Sequence, residues 1–121
     1  MEFQEGVSIY LQIARMIEDD IINNRLLPDE VVPSTNNFAR YHQINPATVG
    51  KGFSLLVEEQ ILYKKRGIGM FVTADAKQRI QEKRKKLFFS SQLPEVVRTA
   101  KAIGISPTDL MQALQKEMEK N

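Results

Sequence analysis

The chain has no cysteine and no tryptophan, and a single histidine in 121 residues. Without cysteine there can be no disulfide, no thiolate zinc site and no cysteine nucleophile. His42 stands without a second histidine, so it reads as a polar turn residue rather than a metal ligand. A lone histidine in a turn gives no serine–histidine–aspartate triad, and Asp19-Asp20 on the solvent side of a helix needs no catalytic meaning. Neither an enzyme nor a bound metal or cofactor is expected. No apolar run approaches the roughly 20 residues a membrane span needs. The acidic start, Met1-Glu2-Phe3-Gln4-Glu5, lacks the basic opening of a secretory signal. These absences predict a cytoplasmic protein with no membrane partner.

Apolar residues make up 42% of the chain and charged residues 26%, a globular balance. The net charge of +2 is unevenly placed: residues 1–73 hold 7 basic and 9 acidic groups, and residues 74–121 hold 10 and 6. Between Arg40 and Arg66 the balance turns positive, with Arg40, Lys51, Lys64, Lys65 and Arg66 against Glu58 and Glu59. A locally basic surface is the electrostatic footprint of a nucleic-acid binder. The net acidic front half leaves open a second reading, a module that binds protein instead.

Ile9, Ile13, Ile17 and Ile21 recur every four residues, an amphipathic helix with Ser8 as N-cap and Asn23-Asn24 then Pro28 at its end. Val31-Val32-Pro33 is extended, because a proline pushes its predecessor toward β geometry. Ser34 caps a short helix with Phe38 and Ala39 inward. After a turn at His42 to Ile44, Asn45-Pro46 opens a third helix with Val49, Phe53, Leu56 and Val57 as its apolar stripe. Gly50 and Gly52 weaken that helix by roughly 1 kcal/mol each relative to alanine, and Gly52 reads as a point of close helix packing. Two strands, Ile61–Lys64 and Met70–Thr73, flank Lys65-Arg66-Gly67-Ile68-Gly69 and form a hairpin. Asp75 caps a fourth helix to Leu87, Pro94 opens a fifth, and Ser106-Pro107 with Asp109 starts a sixth with capping-box spacing. The predicted fold is mainly α with a small β wing: a winged helix-turn-helix domain at 1–73 (helix-turn-helix about 35–58, wing 61–73), then a short all-helical linker and dimerisation region at 74–121.

A helix-turn-helix lays its second helix in the DNA major groove with its N-terminal residues at base edges. With its stripe turned to the core, the Asn45-Pro46 helix presents Ala47, Thr48, Gly50, Lys51 and Ser54, small or hydrogen-bonding groups with one cation. Asn45 and Thr48 can donate to phosphate or bases, and Lys51 reaches phosphate or a guanine edge. The hairpin puts Lys64, Lys65 and Arg66 at its tip, and Gly67 lets backbone approach a sugar-phosphate chain.

The stretch from Ile9 to Val72 resembles the DNA-binding domain of GntR-family regulators. The matching pieces are Ile9-Tyr10-Leu11-Gln12-Ile13, Leu27-Pro28-Asp29, Val32-Pro33-Ser34, Asn45-Pro46-Ala47-Thr48-Val49 and Arg66-Gly67-Ile68-Gly69-Met70-Phe71-Val72. The short helical tail resembles the YtrA-like subgroup. The resemblance implies a homodimeric repressor on double-stranded, pseudo-palindromic operator DNA. It implies contacts from Ser34, Thr35, Asn36, the Asn45–Lys51 segment and Arg66-Gly67. Members often carry arginine where this chain has Asn36 and Gly50, so a different operator is expected.

The tail's apolar positions, Leu93, Val96, Val97, Ala100, Leu110, Leu114 and Met118, need a cover. A tail this short builds no core of its own, so a second copy is the expected partner. A ligand or protein signal, including a small-molecule effector of unidentified chemistry, would act by changing the spacing of the two heads. Phe88-Phe89 could line a ligand pocket, but reads first as core or dimer packing. Lys83-Arg84-Lys85-Lys86 reads as a solvated linker face or a phosphate contact.

Overall fold

A computed structural model describes residues 8–121, so the acidic start at Met1–Glu5 lies outside the described residues. The chain forms two compact units, one ending at Glu82 and one spanning Lys83–Asn121.

The first unit contains α1 (Ile9–Ile22), α2 (Thr35–His42), α3 (Pro46–Glu58), β1 (Leu62–Lys65), β2 (Gly69–Val72) and the start of α4 (Ala76–Leu87). Ile13, Ile17 and Ile21 of α1, Phe38 of α2 and Val49, Phe53 and Leu56 of α3 are sealed in one core. Phe38 meets Phe53 edge to face, with ring centroids 5.5 Å apart. Each such side chain contributes about 1.5–3 kcal/mol by leaving water. Ile9, the first member of the expected stripe, is instead exposed, since the core begins one turn later. The unit also runs past Thr73: Ala76 and Ile80 of α4 are buried in the same core, so the wing is followed directly by a core helix.

Helix starts follow their capping residues. Ser34 Oγ accepts from Asn37 N at 3.1 Å and Asn45 Oδ1 from Ala47 N at 2.8 Å. Ser8 occupies the N-cap of α1, but its side chain makes no capping bond. The three core helices end alike, each with one left-handed residue that is not glycine: Asn24, Gln43 and Gln60. After α3, Ile61 N donates to Leu56 O at 2.9 Å and Gln60 N to Val57 O at 3.0 Å, the paired bonds of a Schellman motif. Ile44 N to Ala39 O and Arg25 N to Asp20 O close α2 and α1 in the same way.

β1 and β2 are antiparallel, with Leu62 opposite Val72, Tyr63 opposite Phe71, Lys64 opposite Met70 and Lys65 opposite Gly69. Gly67 at φ 78° occupies the third position of the turn, where Ile68 N donates to Lys65 O. The extended segment predicted at Val31-Val32 lies along the free edge of β2 as an isolated bridge. Val31 bridges Phe71, Val32 N donates to Met70 O at 2.9 Å, and Val72 N donates to Glu30 O at 3.0 Å.

Pro94 does not open a separate helix. α4 passes into α5 (Leu93–Ala102) through a π-helical turn at Phe88–Gln92, and Leu87, Gln92 and Leu93 keep helical dihedrals. The wider turn lets a helix admit a residue that has no N–H and whose ring crowds the preceding turn.

In the second unit α5 ends at Gly104 (φ 79°), and α6 (Pro107–Glu119) starts at Ser106, whose Oγ accepts from Asp109 N at 3.1 Å. No helix among the described residues is long and apolar enough to cross a membrane.

Candidate nucleic-acid interface

The start of α3 is exposed on the first unit. Pro46 fills the first helical position, where a missing N–H leaves nothing unpaired. Asn45, Ala47 and Lys51 are exposed, and Thr48 and Gly50 are half-buried. With Oδ1 of Asn45 engaged in capping, its amide group keeps two N–H donors for an outside acceptor.

α2 begins beside this surface. A Cβ on Gly50 would lie 3.9 Å from Thr35 Cγ2, so the first residue of α2 abuts the second turn of α3. Ser34 accepts a capping bond and still holds its hydroxyl proton for donation. The leading N–H groups of α2 precede its first intrahelical bond, Phe38 N to Ser34 O. The N-terminus of α2, which favours a negative group, therefore lies against the second turn of α3.

Gly52 faces the opposite way. A Cβ there would lie 2.8 Å from the Tyr10 carbonyl oxygen and 3.2 Å from Ile13 Cγ2, which confirms close packing of α3 on α1. The same approach sets the Tyr10 ring beside Lys51, whose ammonium lies 4.1 Å above the ring centroid.

The wing's cations are less clustered than the sequence implies. Only Arg66 lies in the turn. Lys64 pairs with Met70 within the strand, and Lys65 Nζ folds back to 5.0 Å from the Phe71 ring. Phe71 stacks on Tyr63 at 5.6 Å, and Tyr63 Oη donates to Asp29 Oδ1 at 2.8 Å. That hydrogen bond, with some desolvation and the carboxylate's charge, holds the Tyr63 phenol above the usual tyrosine range. Asp29 is thereby occupied, as are Asp20 on Arg25 and Glu30 on Leu27 N.

Residues 9–72 match the model of the family described as bacterial regulatory proteins, gntR family. The chain belongs to that family. A GntR-family transcriptional regulator from Bacteroides thetaiotaomicron has a crystal structure that superposes with a TM-score of 0.77 at 32% identity, covering 92% of this chain and 96% of that one. The Bacillus subtilis transcriptional repressor YtrA is 28% identical over 102 residues, 84% of this chain and 78% of YtrA. The AraR DNA-binding domain in complex with operator ORX1 matches 60% of this chain and 93% of that chain, with a TM-score of 0.54 and 28% identity. The expected fold, helical with a two-stranded wing, is the one this GntR-family chain adopts. Members of the family are transcriptional regulators, so the reading as a non-enzyme stands on the family.

The tail residues of this GntR-family chain are distributed unevenly. Ala100 is buried and Leu93, Val97 and Leu110 are half-buried, while Val96, Leu114 and Met118 are exposed. Val96, Ala100 and Leu110 line, with Glu95, Thr99 and Ile105, an open apolar depression of about 250 Å³. Sequence reasoning gave Tyr10, Asp29 and Phe71 as pieces of the family match and Tyr63 as a strand residue, but assigned none of them a role at the site. Their roles arise from tertiary approaches that no local pattern marks.

Proposed function

We propose that this chain is a transcriptional repressor of the YtrA-like kind that binds a pseudo-palindromic, double-stranded operator as a homodimer. The observation that carries the reading is the start of α2 lying against α3 beside that helix's exposed first turn, with Thr35 next to Gly50. The wing is rooted directly before Ser34 by the Val32 to Met70 bond. In this reading α3 enters the major groove through Asn45, Ala47, Thr48 and Lys51. Ser34, Thr35 and Asn36 hold the flanking backbone, and Lys65, Arg66 and Gly67 lie along the neighbouring groove. The first unit makes the DNA contacts, with the start of α4 completing its core, and the second unit, from Lys83 onward, joins the two copies.

Pairing of tails is supported by the second unit itself, where Ala100 is the one buried apolar residue and α6 buries none among the described residues. Two helices with so little core need a cover. A two-fold axis then sets two α3 helices on half-sites about one DNA turn apart. Occupied promoter DNA is closed to polymerase, and a ligand or protein signal that alters the pairing changes the spacing of the heads.

The test is fluorescence anisotropy of the purified chain on DNA from upstream of its own gene, at two salt concentrations and with competitor DNA. Tight binding that survives competitor and weakens with salt is expected. Lys51→Ala and Arg66→Ala should each weaken it with helical content unchanged, while unaltered affinity in both would remove the site assignment. Sedimentation at micromolar concentration should give a dimer.

A further inference from the structure

We infer that Tyr10 is a positioning residue: its ring holds the Lys51 ammonium at the α1–α3 junction and presents it to a backbone phosphate. The inference rests on the DNA-binding reading given above. Its starting point is a conflict at α3. Lys51 is the only cation on the exposed face of this helix, and it is exposed, yet its ammonium does not extend freely from the helix. It lies 4.1 Å from the centroid of the Tyr10 ring, a residue of a different helix. The ring reaches that place because Gly52, the next residue, has no side chain. A Cβ at Gly52 would stand 2.8 Å from the Tyr10 carbonyl oxygen, so any other residue would push α1 and its tyrosine away. Two adjacent residues thus divide two tasks. Lys51 carries the charge, and Gly52 admits the ring that holds it, while a side chain at Gly50 would meet Thr35 only at an ordinary distance.

An aromatic face attracts a cation without taking its hydrogen bonds, so the three ammonium N–H donors of Lys51 remain for an anion. A lysine free on a surface samples many rotamers and loses them when it binds. One already resting on a ring loses fewer. The ring also draws the ammonium toward α1 and off the face that carries Ala47 and Thr48. From there the charge meets a phosphate at the lip of the groove, not a guanine edge at its floor. Lys51 is then a sequence-independent contact, and specificity falls to other residues.

The experiment is a double-mutant cycle on the full-length protein, with Tyr10→Leu, Lys51→Ala and both together, and with Tyr10→Phe as the variant that keeps the ring. Binding is read by anisotropy on the upstream DNA and on unrelated duplex. Tyr10→Leu should weaken binding about two- to fivefold when Lys51 is present, the worth of an exposed cation–π contact, and leave it unchanged in Lys51→Ala. Tyr10→Phe should bind like the unmodified protein, and the loss should be equal on both DNAs, as a phosphate contact requires. A spectroscopic readout stands beside the cycle and needs no DNA. The Lys51 ε-methylene protons should be shifted upfield by the ring current in the unmodified protein and in Tyr10→Phe, and should return to ordinary values in Tyr10→Leu. Equal weakening by Tyr10→Leu with and without Lys51, a larger loss on the upstream DNA than on unrelated duplex, or no upfield shift in the free protein would each overturn the inference. Failure of the unmodified protein to bind either DNA would overturn the DNA-binding reading as a whole.

Discussion

Gly50 and Gly52 lie two residues apart in one helix, and alanine should change stability in opposite directions at the two sites. Both substitutions remove the same helix penalty, about 0.8–1.0 kcal/mol in a helix interior. At Gly50 nothing offsets that gain, because the new methyl group would lie 3.9 Å from Thr35 Cγ2, an ordinary contact. At Gly52 the methyl group would stand 2.8 Å from the Tyr10 carbonyl oxygen and 3.3 Å from Ile13 Cβ. The first of these is backbone and the second is buried in the core, so neither yields without moving α1. Overpacking of this kind costs about 1–3 kcal/mol. Gly50→Ala should therefore stabilise by about 0.8 kcal/mol and Gly52→Ala destabilise by about 1 kcal/mol or more, a gap of roughly 2 kcal/mol. Urea unfolding followed by far-ultraviolet circular dichroism measures it, at one fixed protein concentration so that the proposed pairing of copies would affect both variants alike. The slopes should match, so that midpoints report stability alone. A Gly52→Ala protein as stable as Gly50→Ala would refute the close approach of α1 and α3, and with it the placement of Tyr10.

Gln60→Gly should stabilise by about 0.5–1 kcal/mol, since a non-glycine residue in the left-handed region costs about 1–2 kcal/mol and glycine returns only part of that through the unfolded chain; a lower urea midpoint would contradict the left-handed cap at φ 62°. Ile80→Ala should cost about 2–4 kcal/mol because the side chain is fully buried, and a loss under about 0.5 kcal/mol would show that α4 does not belong to the core of the first unit. Tyr63 has its folded pKa raised by its bond to Asp29, so the stabilisation is present below the unfolded value near 10 and is lost as pH rises through the higher folded value. The stability difference between the unmodified protein and Tyr63→Phe should be level near neutral pH and shrink in strong alkali, and a difference that grew with pH would reverse the assignment.

What was legible in the sequence was whatever depends on neighbours along the chain. Ser34, Asn45-Pro46 and Ser106-Pro107 each mark a helix start because a cap involves residues two or three positions apart. The stripes on α1 and α3 show which faces are buried. The Ile9–Val72 stretch was also enough to identify the family. The contacts that complete the candidate site join residues far apart. Tyr10 meets Lys51, Tyr63 meets Asp29, and Val31 meets Phe71. No spacing rule announces them. One local signal also misled. Pro94 reads as a helix start, yet a π-helical turn carries the helix through it. Gln43 and Gln60 take the left-handed conformation at helix ends where glycine would be the usual marker, because the Schellman bonds and the buried residues that follow over-determine those turns.

The bridge from Val31 to Phe71 has a consequence for the DNA. It ties the entry to α2 to the edge of the wing, together with the bonds of Val32 to Met70 and Val72 to Glu30. The wing tip cannot swing without carrying Ser34 along. With the proposed DNA contacts at Ser34 and the wing tip, the two points of grip would hold a set separation and work as a caliper. A duplex whose groove width or twist does not match must bend to fit, and the energy of that bending depends on its sequence. Base pairs lying between the grips, touched by no side chain, would then still be selected.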